Sequence, residues 1–237
     1  MNIRFVELTQ AMVGQLDQNS VVANNLANVN SNGFKRDVMF SELLKSGGKT
    51  NTQTKVTTDF SQGSLTPTDN PLDAAISGEG FFTIDDGDQL AFTRDGHFNR
   101  GADGILCTTS GLPVMGQGGW IDLGMGTENA GEVSISMNGD IFVDDEFIDK
   151  LEISSFSNQA DLQKLGGNLY HAKKGTIENR MEDPIILQGK IEGSNVEAVH
   201  EMVGLIELQR SFETSQKVLQ TLDAALTKAA NSIGNYK

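Results

Sequence analysis

The chain has one cysteine, one tryptophan and four prolines in 237 residues. A single thiol, Cys107, excludes an internal disulfide and any cysteine-based zinc site. Within Gly104-Ile-Leu-Cys-Thr-Thr it reads as the small buried hydrophobe of a strand. No apolar run approaches the roughly 18 residues of a membrane-spanning helix. Residues 1–30 lack a basic n-region, an apolar h-region and a small-residue cleavage site, so neither membrane insertion nor a cleavable Sec-type signal is expected. Histidine is scarce as well. His97, His171 and His200 lie far apart, with no H-x-x-x-H pair and no G-x-S-x-G, P-loop or G-x-G-x-x-G in strand-to-helix context. The chain therefore reads as a non-enzyme, with no catalytic residue, no cofactor-binding residue and no metal site. The acidic groups Asp85-Asp86-Gly87-Asp88 and Asp144-Asp145-Glu146 do not continue into a calcium-loop pattern and read as hairpin turns. Gly116-Gln-Gly-Gly119 precedes a strand rather than a helix N-terminus and reads as a loop.

Positive charge is also in short supply, with 18 Lys and Arg against 32 Asp and Glu and a net charge of −14. Without a basic patch, nucleic acid is not an expected partner. The imbalance is local: residues 1–50 carry five basic and four acidic groups, 190–237 carry five and six, and the middle carries eight and twenty-two. Near-neutral ends suit close packing with copies or relatives, whereas an acidic middle suits an exposed, soluble surface.

What is present at the C-terminal end is a heptad. Leu205, Phe212, Leu219, Leu226 and Ile233 recur every seven positions, and a second row, Leu208, Leu222 and Ala229, follows three residues later, interrupted by Ser215. Such a stripe predicts a coiled-coil seam that needs a helical partner. Ser194-Asn-Val-Glu197 has the S-x-x-E form of a capping box, and Gly234-Asn235 supplies a stop, which predicts a helix from Asn195 to Ile233, roughly 60 Å long. Residues 3–29 predict the second helix. Steps of three and four from Phe5 land on Leu8, Met12, Gln15, Asn19, Val22, Leu26 and Val29. Its polar seam positions fix register at a cost in stability, and Asn19, Asn24, Asn25 and Asn28 make it marginal on its own. Asn30-Ser-Asn-Gly33 ends it.

Phe40, Leu43 and Leu44 predict a helical turn or two, followed by a polar connector from Ser46 through Thr54. All four prolines and 17 of the 26 glycines fall between residues 66 and 185. There, runs such as Phe81-Phe-Thr-Ile, Leu90-Ala-Phe-Thr, Ile141-Phe-Val and Leu151-Glu-Ile-Ser-Ser-Phe alternate with the turn dipeptides Asp86-Gly, Asp95-Gly, Asp103-Gly and Asn138-Gly. This predicts an antiparallel β domain. Val133, Ile135 and Met137 alternate with serines as a half-buried strand does. Residues 158–165 predict a short helix and 185–191 a strand returning to the C-terminal helix.

The fold class expected is α+β, with N- and C-terminal coiled-coil-forming helices enclosing a mainly antiparallel β domain. The boundaries are 1–33 and 194–237 for a terminal helical assembly domain, 34–70 and 181–193 for extended linkers, and 71–180 for the β-rich middle.

The residues that carry the helices also carry a resemblance. Ala23-Asn-Asn-Leu-Ala-Asn-Val-Asn-Ser-Asn-Gly-Phe-Lys-Arg-Asp37 resembles the N-terminal signature of the bacterial flagellar rod and hook proteins. Glu192-Gly-Ser-Asn-Val-Glu through Gln209-Arg-Ser-Phe-Glu213 resembles their C-terminal one. Pro71-Leu-Asp-Ala-Ala-Ile-Ser-Gly-Glu-Gly-Phe-Phe82, Ala91-Phe-Thr-Arg-Asp-Gly-His-Phe98 and Gly111-Leu-Pro-Val-Met-Gly-Gln-Gly-Gly119 are similar to the β-domain motifs of the rod members. The short length and the absence of hook-type insertions make the chain most similar to the proximal rod members, with the distal rod members as close alternative.

The resemblance implies a structural subunit that is exported through the flagellar type III apparatus without a cleavable signal. It implies helical stacking into the periplasmic, torque-transmitting rod of the basal body. Copies of itself, neighbouring axial rod proteins and the export apparatus would be its partners. The assembly interface would include Leu8, Met12, Val22, Asn24, Asn25, Leu26 and Asn28 on the first helix, and Leu205, Leu208, Phe212, Leu219, Leu222, Leu226 and Ile233 on the second. The charge division further predicts that the helices face the axis of the assembly and the acidic middle faces outward.

Overall fold

The computed structural model describes residues 2–46, 49–124 and 131–234, with side chains placed for 8–40, 54–124, 131–225, 227 and 228. The fold is α+β, with a helix at each end of a mainly antiparallel β region. It divides into two compact units, Met1–Ala27, Asp37–Thr57 and Glu197–Lys237 in one, Asn28–Arg36 and Thr58–Val196 in the other.

The helical unit holds α1 (Asn2–Ala27), two paired strands, β1 (Asp37–Ser46) and β2 (Lys49–Thr58), and α2 (Ala198–Gly234). α1 lies against α2 and also touches β1. The paired strands differ from the expected helical turn and polar connector. Their signal is present in the sequence. From Thr50 to Thr58 a β-branched residue stands at every second position, with Asn51, Gln53 and Lys55 between, which is a strand pattern written in polar residues.

α2 begins at Ala198, three residues after the predicted start. The reason is Asn195. Its Oδ1 accepts the Arg36 N–H at 2.7 Å while its Nδ2 donates to the carbonyls of Asp59 (2.9 Å) and Ser61 (3.1 Å), and these bonds hold 194–196 outside the helix. Ser194 Oγ accepts the Val196 N–H at 3.2 Å in a local turn instead of capping the third residue on.

In the β unit, β3 (Leu65–Pro67), β4 (Ala74–Ile76), β5 (Phe81–Asp85), β6 (Leu90–Thr93), β7 (Phe98–Arg100), β8 (Leu106–Thr108), β9 (Met115–Gly116) and β10 (Gly119–Trp120) are followed by β11 (Val133–Ile135), β12 (Asp140–Val143), β13 (Glu146–Lys150) and β14 (Ile153–Phe156). A 3-10 turn, Gln159–Asp161, then leads into β15 (Leu162–Gly166), β16 (Leu169–Ala172), β17 (Glu178–Arg180), β18 (Ile186–Gln188) and β19 (Lys190–Glu192). The helix expected over 158–165 is therefore one turn and a strand. Asn158 accepts the Ala160 N–H, which favours a tight turn, and Leu162 is buried. The six-stranded sheet has the order β15-β16-β6-β5-β14-β17, and β11-β12-β13 form a second sheet. Strands also form in the segments read as linkers: β3 pairs with β19, and β18 pairs with β4 of the β-rich middle.

The central strand β5 is buried on both faces. Phe82 and Ile84 enter the main core with Ala74, Phe98, Val114 and Ile153. Phe81 enters a second cluster with Phe92, Phe156, Leu162 and Tyr170. This follows from the pleat, since neighbours along a strand point to opposite faces. The acidic runs and the Gly-Gln-Gly-Gly run are hairpin turns. Asp144 and Asp145 link β12 to β13 with φ of 51° and 64°, as a two-residue hairpin requires. Gly116 pairs with Gly119 across the β9–β10 turn.

Candidate functional site

On α1, Leu8, Met12, Gln15, Asn19, Val22 and Leu26 are half-buried, whereas Thr9, Gln10, Ala11, Val13, Leu16, Asp17 and Gln18 are exposed. On α2, Leu205, Leu208, Phe212, Ser215 and Leu219 are half-buried and most positions between them are exposed. From Leu8 to Leu26 and from Leu205 to Leu219 the heptad positions are thus on the shielded faces of the two helices. Gln15 Nε2 donates to Ser211 Oγ at 2.8 Å, pairing a polar seam residue of α1 with α2. Gln15 Oε1 and Asn19 Oδ1 are buried with no partner. Each such acceptor costs about 1–3 kcal/mol, so polar seam positions weaken the pair.

Leu222 is 41% exposed and sits at the edge of the seam. The Leu226 and Ile233 side chains lie outside those described. Asn25 is buried at 1% exposure, its Nδ2 donating to the Asp37 carbonyl (2.8 Å) and its Oδ1 accepting the Asp37 N–H (2.9 Å). It secures the start of β1 against the end of α1. Asn28 Oδ1 accepts from Ser31 Oγ at 3.3 Å, and Asn24 is exposed.

A second apolar set was not legible from the heptad. Val199, Met202, Val203 and Ile206 are each 49% exposed or more and recur at steps of three and four. At 100° per residue they fall on the side of α2 opposite Leu205, Leu208 and Phe212. Among the described side chains of α1, Val13 and Leu16 are the large apolar ones that are exposed.

The β unit contains a buried ionic cluster that sequence reasoning missed. Glu192 Oε1 accepts from Lys35 Nζ at 2.6 Å and from the Gly63 N–H at 2.8 Å; Oε2 accepts from Arg94 Nη1 at 3.1 Å. The Lys35 and Glu192 side chains are fully buried and that of Arg94 is 3% exposed. Lys35 Nζ also donates to the Ser61 carbonyl at 2.7 Å, and Arg94 Nη2 to the Gly78 carbonyl at 2.6 Å. Burial pulls both cations below their ordinary pKa, and the Glu192 carboxylate opposes this. Removing one member of such a buried set costs about 3–5 kcal/mol, because its partner is left charged and dry.

Gly33, with φ of 65°, lets the chain reach this cluster, since a Cβ there would lie 2.4 Å from Asp95 N. Its N–H donates to the Glu192 carbonyl at 2.7 Å. Elsewhere, His97 Nδ1 lies 2.6 Å from Asp73 Oδ1, and His171 contacts Gln89 and, at 3.4 Å, Asp86. Among the described residues, no group of three or more His, Cys, Asp or Glu side chains is placed to hold a metal ion. Cys107 is buried at 8% exposure on β8, and burial raises its thiol pKa. Among the described residues no helix is long and apolar enough to cross a membrane.

Residues 187–232 match the flagellar basal body rod FlgEFG protein C-terminal family, and residues 75–143 match the flagellar hook protein FlgE/F/G D1 domain. The chain is 33% identical to the flagellar basal-body rod protein FlgG of Buchnera aphidicola subsp. Schizaphis graminum, over 90% of this chain and 93% of that one. It is 32% identical to FlgF of Caulobacter vibrioides, over 98% of each chain. To FlgG of that same bacterium it is 28% identical, over 87% and 90%.

Proposed function

The chain belongs to the flagellar basal-body rod protein family, and from that premise we propose how this structural rod subunit is put together with its neighbours. α1 and α2 fill each other's heptad faces, in coiled-coil fashion, within one chain. Val199, Met202, Val203 and Ile206, on the opposite side of α2, then take the helical unit of the next copy. The observation that carries this reading is that exposed stripe. A helix already paired along one face has no use within its own pair for a second apolar face, and hiding that face requires a neighbour.

The charge division supports the same arrangement. Helical ends carrying +1 and −1 approach one another without repulsion, whereas a middle carrying −14 is better kept outside, where separations exceed a Debye length of about 8 Å. Helices toward the axis and β units outward meet both demands. In this reading the chain acts as a non-catalytic axial subunit of the periplasmic rod. Export through the flagellar apparatus delivers it, and copies of itself and other rod proteins are its partners. The match to the Caulobacter FlgF, longer and closer than to FlgG of the same bacterium, supports a proximal place in the rod.

Cross-linking tests the radial order. Single cysteines at Met202 and at Asp145, an exposed turn residue of the β unit, are placed in a Cys107→Ser background. Inter-subunit links are expected at Met202 and rarely at Asp145, and the reverse preference would invert the proposed order. A second expectation is salt dependence. Raising ionic strength screens the acidic β units from one another and should promote self-association of the purified chain, measured by light scattering. Association that weakened with salt would mean that ion pairs, rather than apolar helix faces, hold the copies together.

A further inference from the structure

Three motifs separated by more than fifty residues each meet at the buried ionic cluster: Gly33-Phe-Lys-Arg36, Thr93-Arg-Asp95 and Glu192-Gly-Ser-Asn195. Their position relative to the chain path is what gives them meaning. The chain passes between its two units at 27/28, 36/37, 57/58 and 196/197. The last three of these crossings are within a few residues of Arg36, Asp59 and Asn195.

We propose that Lys35, Glu192 and Arg94 form a load-spreading clasp, which gathers the segments entering and leaving the β unit and ties them to its six-stranded sheet. Its purpose rests on the rod reading above, because in a subunit that transmits torque these crossings of the chain carry load.

The bonds run from segment to segment. Glu192 joins the outgoing segment to Gly33, Lys35 and Gly63, and Asn195 joins it to Arg36, Asp59 and Ser61. Arg94, directly after β6, carries the tie into the sheet. From β15, the edge strand of that sheet, Lys164 donates to the Lys35 carbonyl at 2.7 Å, and Asn168, in the β15–β16 turn, donates to the Asn32 carbonyl at 2.7 Å. A pull on any one crossing is therefore shared by several charge-assisted bonds in a dry site, where such bonds are strongest. A cluster with two cations on one carboxylate is a poor choice for stability alone, since apolar packing of the same volume is often at least as stable. It is a good choice for holding three backbone segments in fixed register.

The full-length chain with Glu192→Gln tests this by amide hydrogen exchange and by swimming. Exchange is expected to quicken about tenfold or more at Gly33, Gly63 and Gly193, while Thr83 and Phe92 in the sheet stay unchanged. Cells carrying the variant are expected to swim in dilute medium and to fail as viscosity rises. Equal quickening across the sheet would make the cluster a general stabiliser and overturn the clasp. Unchanged exchange at the crossings would overturn it too, and local quickening with normal swimming at every load would overturn its mechanical role. Should Glu192→Gln not fold, Lys35→Met leaves the neutral Glu192–Arg94 pair in place and is read the same way. A wild-type gene that failed to restore motility to cells lacking their own copy would count against the rod reading instead, and the exchange pattern would still decide whether the clasp exists.

Discussion

Phe212→Asp is expected to abolish motility while leaving the β unit folded. Phe212 is half-buried at the centre of the α2 seam, one residue from Ser211, which accepts the Gln15 bond from α1. The substitution removes a large apolar contact and sets a carboxylate against the facing helix, at about 2–4 kcal/mol in each copy. The α1–α2 pair already carries the buried, unpartnered acceptors of Gln15 and Asn19, and it has little reserve to absorb such a loss. In a stacked rod the fault recurs in every subunit, so swimming in soft agar should be lost entirely. The β unit has separate cores, and its near-ultraviolet circular dichroism and denaturant midpoint should match wild type within about 0.5 kcal/mol. Glu213→Ala, at the exposed neighbouring position, should swim normally. Normal swimming by Phe212→Asp would show that this face of α2 is not a required packing surface.

The two seams were legible because their information is periodic and local. A heptad needs no knowledge of the rest of the chain, and the half-buried faces of α1 and α2 fall on it from Leu8 to Leu26 and from Leu205 to Leu219. The helix start at Ala198 was not legible, because Ser194 and Glu197 satisfy the local rule while Asn195 is claimed by Arg36, Asp59 and Ser61, all far away in sequence. The β1–β2 pair was hidden for a different reason. Its alternation is carried by threonine against asparagine, glutamine and lysine, and hydropathy does not register that contrast.

Strands and turns of the middle were readable from β-formers and Asp-Gly or Asn-Gly pairs, but not the order of the six-stranded sheet, in which β6 lies beside β16 across more than 70 residues. The ionic cluster is the extreme case. Lys35, Arg94 and Glu192 each look like ordinary surface residues beside a turn or helix end, and only the tertiary fold removes them from water together. The exposed face of Val199, Met202, Val203 and Ile206 was masked by the stronger heptad on the same helix.

The second large effect is expected at Gly96, where Gly96→Ala should unfold the β unit. Gly96 accepts the Ala74 N–H at 3.0 Å, and the flanking residues Asp73 and His97 form an antiparallel bridge. A Cβ at 96 would lie 1.6 Å from the Ala74 carbonyl oxygen and 2.8 Å from its carbon. Neither atom is at the flexible end of a side chain. β4 cannot withdraw either, because Ala74 to Ile76 are paired with β18 on the other side and fully packed into the main core. Phe82 blocks a sideways shift, its ring standing edge-on to Phe98 at 5.0 Å and its Cε2 lying 3.1 Å from the added carbon. The backbones must therefore part, breaking the Ala74–Gly96 bond and opening the core, at about 4 kcal/mol or more.

Gly87→Ala separates this collision from the ordinary loss of glycine. Gly87 has φ of 89° in the β5–β6 turn, and a Cβ there meets nothing within 4 Å. Its cost should be about 1 kcal/mol, from backbone strain alone. Denaturant unfolding of both variants, followed by the fluorescence of Trp120, should show a small drop in midpoint for Gly87→Ala and little or no folded baseline for Gly96→Ala. Equal costs for the two would mean that the backbones at residues 74 and 96 stand further apart than this fold places them.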